Sequence, residues 1–393
     1  MSLKIARQIT PASWMKTPDL QRLFDVFPDE ILLVGGCVRN VLMGKEVEDV
    51  DLATSLKPEA VMSKLEDIGV RVIPTGLQHG TVTAVMNGAH YEITTLRHDV
   101  TTDGRHAEVA FTDDWVEDAK RRDFTMNTLL MDLMGNVYDP LGLGLEDLDK
   151  CRVVFVGEPE QRITEDYLRI LRFFRFSAIY GNKYDEDGLK SCKKYAKSIK
   201  KLSKERITQE FFKISSSDVP YGVLNVMFSH DVLKELMFSD YDSSFFEHFC
   251  TFQSRYSLNA LSSRLFVFAA MNFENIKKME EFILFPKVFL KDMKAIHGAL
   301  HLPDLSCDHA VKTSLYRFGR AITAQALVIE LVQDRVMNGY APKALDVIQN
   351  WDILDFPVSG DDLIKEGIQK GPELGAELRR REQAWIDGGF KVK

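Results

Sequence analysis

Residues 31–53 read ILLVGGCVRNVLMGKEVEDVDLA, and the rest of the chain is organised around this stretch. The apolar run 31–34 is typical of a buried strand. It ends in Gly35-Gly36, and a short helical pattern over 38–43 follows. A glycine turn that opens a helix suits phosphate groups, because backbone N–H groups point out of the turn. The stretch therefore predicts a phosphate-binding turn.

Two carboxylates lie later in the same stretch. Asp49 and Asp51 are spaced i, i+2 around the strand-like run 50–53, so on a strand both side chains would lie on one face. Paired carboxylates suit divalent metal ions, which predicts a nucleotide triphosphate bound with magnesium. Two solvated acids at a strand edge remain the alternative. Glu92, on the predicted strand 91–97, is a third candidate acid or simply a solvent-facing one.

The composition is that of a globular protein with several domains or subdomains. The 393 residues are 45% hydrophobic and 27% charged, and no run of about 18 apolar residues is present that could span a membrane. The N-terminus lacks the apolar core of a secretory signal. Five scattered cysteines have no paired metal-ligand spacing, which favours reduced thiols in a cytoplasmic protein.

The order of patterns predicts an α+β protein, with a small mixed unit first and helices after it. A short helical lead-in is predicted over 1–25, and 98–114 reads as polar and irregular. In the first part the helices are predicted over 58–68 and 114–131, and the further strands over 71–74, 81–86 and 91–97. Strand signals almost vanish after residue 160, where helices are predicted over 164–180, 187–202, 204–214 and 219–227 and on to the C-terminus.

A basic stretch lies within 190–206, although the formal net charge of the chain is −8. The net charge argues weakly against a nucleic-acid partner, but the local charge is what a polyanion backbone would meet. A solvated helix face is the alternative. The candidate RNA-binding residues are Lys193, Lys194, Lys197, Lys200, Lys201 and Lys204.

The run 121–127, RRDFTMN, has the residue types that contact a nucleotide sugar and phosphate. Arg122 could pair with phosphate, and Asp123 and Asn127 at i, i+4 could hydrogen-bond ribose hydroxyls from one helix face. Phe124 would point into the core. A charged helix surface is the alternative.

The run 165–176 combines an apolar stripe with charges on another face. Asp166 and Arg169 offer a fixed acceptor and donor, a pair that could read the base edge of cytosine and adenine alike. A salt-bridged surface helix is the alternative. The stripe consists of Tyr167, Ile170, Leu171, Phe174 and Ala178.

These motifs occur in an order that resembles one known family. GGCVR at 35–39, DVD at 49–51, HGTVT at 79–83, RRDFTMN at 121–127 and EDYLRILR at 165–172 follow one another as in the class II tRNA nucleotidyltransferases, the CCA-adding enzymes, and the related bacterial poly(A) polymerases. The resemblance covers about 28–215. Asn40 departs from it, since many members have Asp after the Val-Arg.

The resemblance implies a polymerase-β-like nucleotidyltransferase head with a mixed sheet, followed by an all-helical neck, body and tail. The domains would be a lead-in at 1–27, the catalytic head at 28–157, the base-recognising neck at 158–215 and a tRNA-binding body and tail at 216–393. Asp49 and Asp51 would hold two Mg²⁺ ions. The nucleotide contacts would be Gly35, Gly36, Arg39, Arg122, Asp123, Asn127, Asp166, Arg169, Arg172 and Arg175. The segment 97–109 would be the flexible loop associated with the change from CTP to ATP.

The implied activity is template-independent addition of C, C and A to the 3′ end of tRNA from CTP and ATP, with contacts to the acceptor stem and elbow. Poly(A) polymerase or A-only addition is the alternative within the family, and a non-catalytic RNA-binding protein is the alternative from another class. The retained Asp49 and Asp51 argue against the last of these.

Overall fold

A computed structural model describes residues 3–102, 107–236 and 241–391. Two compact units account for them. The first consists of residues up to 217 together with 223–236, and the second of 218–222 together with the remainder of the chain. No helix in the described ranges is long and apolar enough to cross a membrane.

The first unit is built on an eight-stranded mixed sheet of order β1-β10-β9-β2-β3-β6-β5-β4. Only β3 and β6 pair in parallel within it; the other pairs are antiparallel. The strands of the described residues are β1 (Ile5–Gln8), β2 (Ile31–Val34), β3 (Asp51–Thr54), β4 (Arg71–Gly76), β5 (Thr81–Met86), β6 (Ala89–Thr95), β7 (Arg97–Thr102), β8 (Ala107–Phe111), β9 (Leu130–Met131), β10 (Asn136–Tyr138), β11 (Arg152–Val153) and β12 (Lys183–Tyr184). The predicted strands at 31–34, 71–74 and 81–86 are confirmed.

Two segments were predicted without strands and contain them. The lead-in holds β1, which pairs with β10 at the sheet edge, so the prediction of helix alone over 1–25 is wrong. The segment 98–114, predicted to be irregular, contributes most of the antiparallel pair β7–β8, because its polar residues satisfy their backbone groups across the hairpin. The predicted turn at 103–105 lies outside the described residues.

The helix predicted over 114–131 is wrong in length. The observed helix, α4 (Trp115–Lys120), is much shorter. A single 3₁₀ turn covers Thr125–Asn127, and β9 follows. The chain turns there because Phe124 is fully buried and its backbone forms an isolated bridge with Phe155. The prediction that Phe124 points into the core is confirmed.

Some helices of the first unit contact strands of the sheet, and one of the predicted helices is broken. The helix predicted over 164–180 is interrupted at Asp166, whose backbone is extended (φ −154°, ψ 106°). The helices are α1 (Pro18–Val26), α2 (Gly36–Leu42), α3 (Pro58–Asp67), α4 (Trp115–Lys120), α5 (Gly144–Asp149), α6 (Pro159–Glu165), α7 (Leu168–Tyr180), α8 (Glu186–Tyr195), α9 (Lys204–Ser215), α10 (Pro220–Ser229, which begins in the second unit) and α11 (Val232–Leu236).

The second unit is helical throughout its described residues, as the sequence predicts. Its longest helix, α16, contains a kink at Gly319, whose φ of 79° is open to glycine at little cost. The helices are α12 (Ser243–Arg255), α13 (Leu261–Phe268), α14 (Phe273–Met279), α15 (Lys287–Leu300), α16 (Asp308–Val332), α17 (Ala341–Asn350), α18 (Gly360–Lys365) and α19 (Pro372–Asp387).

Candidate nucleotide site

A cavity of about 470 Å³ opens in the first unit, where the β2–α2 turn, the segment after α4 and the start of α7 meet. Apart from Glu92, twelve residues were predicted to be catalytic or to bind the nucleotide, and ten of them line this cavity. The lining residues are Gly35, Gly36, Arg39, Asp51, Arg121, Arg122, Asp123, Asn127, Asp166, Arg169, Arg172 and Phe176.

The glycine turn is shaped by close approach of an arginine. Gly35 has a φ of +69°, which L side chains rarely adopt, and a Cβ built on it would lie 3.3 Å from Arg122 Nη1. Gly36 begins α2 immediately afterwards. Glycine therefore lets the backbone and the Arg122 guanidinium share one wall of the cavity.

The acids meet across the parallel strands. Asp51 begins β3 and is in register with Glu92 on β6, so the two side chains share a face of the sheet. Asp49 precedes β3 rather than lying in it, and it is exposed, as is Glu92. Burial, then the negative charges of Glu92 and Asp49, raise the pKa of Asp51, and Arg122 opposes them. Asp51 lines the cavity, whereas Asp49 and Glu92 lie outside its lining.

Asp118, a residue not predicted for the site, clamps two arginines against the cavity. Its carboxylate is 2% exposed and accepts from Arg121 Nη2 at 2.7 Å and from Arg122 Nη2 at 3.0 Å. Burial would raise the pKa of Asp118, but Arg122 and Arg121 together hold it below its ordinary value. The i, i+3 and i, i+4 spacing of these residues was the available sequence signal.

Asp123 is a hub of internal hydrogen bonds. Its Oδ1 accepts from the Phe124 amide at 2.8 Å and from Asn127 Nδ2 at 2.9 Å. Its Oδ2 accepts from Arg172 Nε at 2.8 Å and also from Arg172 Nη2. Burial would raise the pKa of Asp123, but the Arg172 charge and these donors lower it to about 2. The predicted ribose contact therefore starts from a carboxylate and an amide that are already oriented.

Arg39 is 7% exposed and is held by neutral groups. Nη1 donates to Asn127 Oδ1 at 2.6 Å, and Nη2 donates to the Tyr180 hydroxyl at 2.7 Å and to Asn40 Oδ1 at 2.8 Å. The guanidinium carbon lies 4.1 Å from the centroid of the Tyr180 ring. Burial lowers the pKa of Arg39. Tyr180, the last residue of α7, is another site residue that the sequence did not indicate.

Asp166 and Arg169 both line the cavity, and each is held by a different partner. Asp166 Oδ2 accepts from Arg206 Nη2 at 2.7 Å, and its Oδ1 accepts from the Leu168 amide at 3.1 Å. Arg169 Nη1 donates to Glu165 Oε2 at 2.6 Å. The predicted acceptor and donor are therefore fixed on either side of the break between α6 and α7.

Arg172 and Arg175 differ in their access to the cavity. Arg172 lines it, while Arg175 does not. Arg175 Nε donates to the buried Glu210 of α9 at 2.5 Å, and its guanidinium stacks on Phe176 at 4.5 Å. In this arrangement Arg175 braces α7 against α9. Its predicted phosphate contact stays a prediction.

The six candidate RNA-binding lysines are all exposed, along α8, the following 3₁₀ turn and the first residue of α9. Lys193 pairs with Asp231 at 3.3 Å and Lys194 with Glu160 at 2.6 Å. Lys201 lies 5.1 Å from the centroid of the Tyr167 ring. The stretch thus presents a basic surface near the segment that carries Asp166.

Comparison with known proteins was made on the sequence and on the fold. Residues 31–154 match the family described as "Poly A polymerase head domain", and 183–239 match "Probable RNA and SrmB- binding site of polymerase A". The second range contains all six lysines.

Full-length relatives are found as well. CCA tRNA nucleotidyltransferase 1, mitochondrial, of Mus musculus is 33% identical over 95% of this chain and 87% of its own. The CCA-adding enzyme of Leuconostoc mesenteroides is 32% identical over 91% and 88%. The crystal structure of the Bacillus stearothermophilus CCA-adding enzyme in complex with CTP superimposes with a TM-score of 0.73 at 25% identity, covering 95% of this chain and 94% of that one.

Proposed function

Because the chain belongs to the family of CCA-adding tRNA nucleotidyltransferases, we propose that it adds C, C and A to the 3′ end of tRNA. CTP and ATP are the substrates, pyrophosphate is released, and no nucleic-acid template is used. The observation that carries the proposal is one cavity whose wall contains a glycine turn, a strand-borne aspartate, five arginines and the Asp166–Arg169 pair.

The wall divides into a region for phosphates and a region for the base. Gly35, Gly36, Arg39 and Arg122 adjoin Asp51, where the triphosphate belongs, and Arg172 adds positive charge. Asp123 and Asn127 are next to them, for the sugar. Asp166 and Arg169 offer a carboxylate acceptor and a guanidinium donor to the exocyclic amine and ring nitrogen that cytosine and adenine share.

Asp49 and Asp51 are the residues we propose to hold two Mg²⁺ ions, with Glu92 as an adjacent acid. The donor set fits a hard divalent cation because it consists of carboxylates. Burial and the nearby charges of Glu92 and Asp49 disfavour the ionised form of Asp51, and a bound cation would offset them. No group of three or more potential ligands is preassembled among the described residues. When bound, the ions would supply charge stabilisation at the transferred phosphate and activate the attacking hydroxyl.

In the reaction the 3′-oxygen of the RNA forms a bond to the α-phosphorus, and the bond from that phosphorus to the β-phosphate oxygen breaks. The 3′-hydroxyl loses its proton as the new bond forms. The electron pair of the broken phosphorus–oxygen bond departs with pyrophosphate. This chain contributes by alignment and by positive charge: the arginines of the wall fix the triphosphate and offset the charge that grows on it. Ion pairs with Asp118, Asp123 and Glu165 hold four of those arginines in place before substrate arrives.

The tRNA backbone is proposed to follow the six lysines of 193–204, with the acceptor stem near the cavity and the elbow on helices of the second unit. Their exposure and the family match over 183–239 support this assignment. A cytoplasmic location is a further proposal, supported by the five free cysteines. A fluorescent fusion localised in cells would test it.

The decisive experiment incubates the protein with tRNA that lacks its last three nucleotides, with CTP, ATP or both. We expect addition of two residues with CTP alone and of three with both, and none when Asp49 and Asp51 are changed to Ala. Asp67→Ala, at an exposed residue of α3, is the matched control and should leave the products unchanged. Failure to use CTP would refute the proposal.

Poly(A) addition is the second candidate, favoured by the description of the family that matches 31–154. It predicts long A tails on unstructured RNA. The same assay with such an RNA in place of tRNA separates the two activities.

A further inference from the structure

Arg39 differs from the other arginines that line the cavity. Arg121, Arg122, Arg169 and Arg172 each form an ion pair with a carboxylate. Within the described part of the chain, no ion pair involves Arg39, although it is 7% exposed. A buried charge without a counter-ion is costly, so its orientation must come from other groups.

A closed triangle of hydrogen bonds supplies that orientation. Arg39 Nη2 donates to the Tyr180 hydroxyl at 2.7 Å, and that hydroxyl donates to Asn40 Oδ1 at 3.2 Å. Asn40 Oδ1 also accepts from Arg39 Nε at 3.2 Å and from Nη2 at 2.8 Å. The Asn40 amide is itself fixed, since Nδ2 donates to the Glu46 carbonyl at 2.8 Å. The Tyr180 ring stacks on the guanidinium, so one side chain both orients and covers the cation.

We propose that Tyr180 and Asn40 are positioning residues that hold Arg39 toward the triphosphate without pairing its positive charge directly with a carboxylate. The inference rests on the proposed function, in which Arg39 contacts the phosphates. Asn40 is an amide, so it accepts from Arg39 without bringing a negative charge to it. With an amide at residue 40 no carboxylate hydrogen-bonds Arg39 directly. The Asp123 carboxylate is linked to it only through Asn127, so Tyr180 performs the orienting that a directly paired carboxylate would otherwise perform.

Tyr180→Phe tests the hydroxyl and Tyr180→Leu tests the ring as well. Loss of a hydrogen bond to a charged group should weaken CTP binding roughly fivefold to tenfold, measured as Kd by calorimetry, and Tyr180→Leu should weaken it further. We expect KM for CTP to rise with Kd and kcat to change by less than about twofold, because ground-state and transition-state binding fall together. Tyr138→Phe is the matched control: it removes a hydroxyl that donates to Asp132 Oδ2 at 3.0 Å, away from the cavity.

A double-mutant cycle tests the partnership with Asn40. In the Asn40→Asp background a carboxylate can orient Arg39 by itself, so Tyr180→Phe should raise Kd by less than about twofold there. Two results would overturn the inference: Tyr180→Phe changes Kd by the same factor in both backgrounds, or Tyr180→Phe alone leaves the Kd of the unaltered protein unchanged. Melting temperatures confirm that each variant is folded. Lack of nucleotide incorporation by the unaltered protein would refute the proposed function instead, while CTP binding still decides the role of Tyr180.

Discussion

Replacement of Asp123 by Asn should cost more stability than replacement of any exposed acid in the first unit. The change keeps the shape of the side chain, but it removes the charge that Arg172 contacts. It also leaves a single oxygen where Oδ1 accepts from Asn127 and Phe124 and Oδ2 accepts from Arg172. The pKa of Asp123 falls from the ordinary 3.8 to about 2 in the folded protein. At about 1.36 kcal/mol per pKa unit this corresponds to roughly 2–3 kcal/mol of stabilisation of the charged form.

The size of the effect can be measured as a melting temperature. For a unit of about 150 to 250 residues, 1 kcal/mol shifts the melting temperature by roughly 2–4 °C, so Asp123→Asn should lower it by roughly 5–10 °C. Asp149→Asn is the control, because Asp149 pairs with Arg7 at 2.5 Å but is half exposed, and such pairs contribute less than about 1 kcal/mol.

The pH dependence gives a second check with a definite sign. The pKa of Asp123 is depressed in the folded state, so its stabilising contribution is present above the unfolded value of 3.8 and is lost as pH falls toward about 2. The difference between the unaltered protein and Asp123→Asn should therefore be constant from pH 7 to about 5 and shrink below 4. A shift no larger than that of Asp149→Asn, or a difference that grows in acid, would refute the reasoning.

Three further predictions concern other parts of the molecule. Asp166→Ala should reduce the preference for CTP and ATP over UTP and GTP by roughly tenfold or more, measured as kcat/KM for each nucleotide, since one good base contact contributes about 1–3 kcal/mol of discrimination. Changing Lys197 and Lys201 to Ala should weaken tRNA binding and reduce the slope of log affinity against log salt by about 1 per lysine, with the KM for CTP unchanged, whereas the exposed Lys57→Ala should leave the slope as it is. Glu330→Gln should stabilise the second unit at pH 8 by up to about 3 kcal/mol and have no effect at pH 4. Burial raises the pKa of Glu330 from 4.5 to about 7 in the folded protein, so the stability of the unaltered protein falls as pH rises from about 4.5 to about 7, whereas that of the variant does not. A difference in urea midpoint between variant and unaltered protein that is equal at the two pH values would contradict it.

The sequence predicted those elements in which buried apolar residues recur at a regular spacing. The apolar run of β2 and the turns around β5 needed no tertiary information. The helix predicted over 114–131 failed for a tertiary reason: Asp123 pairs with Arg172, 49 residues further along the chain, and Phe124 is drawn into the core. Local pattern cannot distinguish such a segment from a charged helix surface.

The candidate site was predicted in its residue types but not in its internal partners. Arg122, Asp123 and Asp166 were selected as ligand contacts, yet each already has a partner that lies elsewhere in the chain or one turn away. Arg206 is 40 residues beyond Asp166, and Tyr180 is 141 residues beyond Arg39. The first pairing follows from the packing of α9 beside the start of α7, and the second from the packing of the end of α7 beside α2; no motif in the sequence encodes either.

The position of β1 has a consequence for assembly. Residues 5–8 pair with 136–138. The edge of the sheet at β10 is therefore uncovered until both segments have been made and have paired. An uncovered edge strand offers unpaired backbone groups to other chains. A nascent chain must therefore keep residues 5–8 available through the synthesis of more than a hundred others, and removal of β1 would leave a sheet edge open to strands of neighbouring chains.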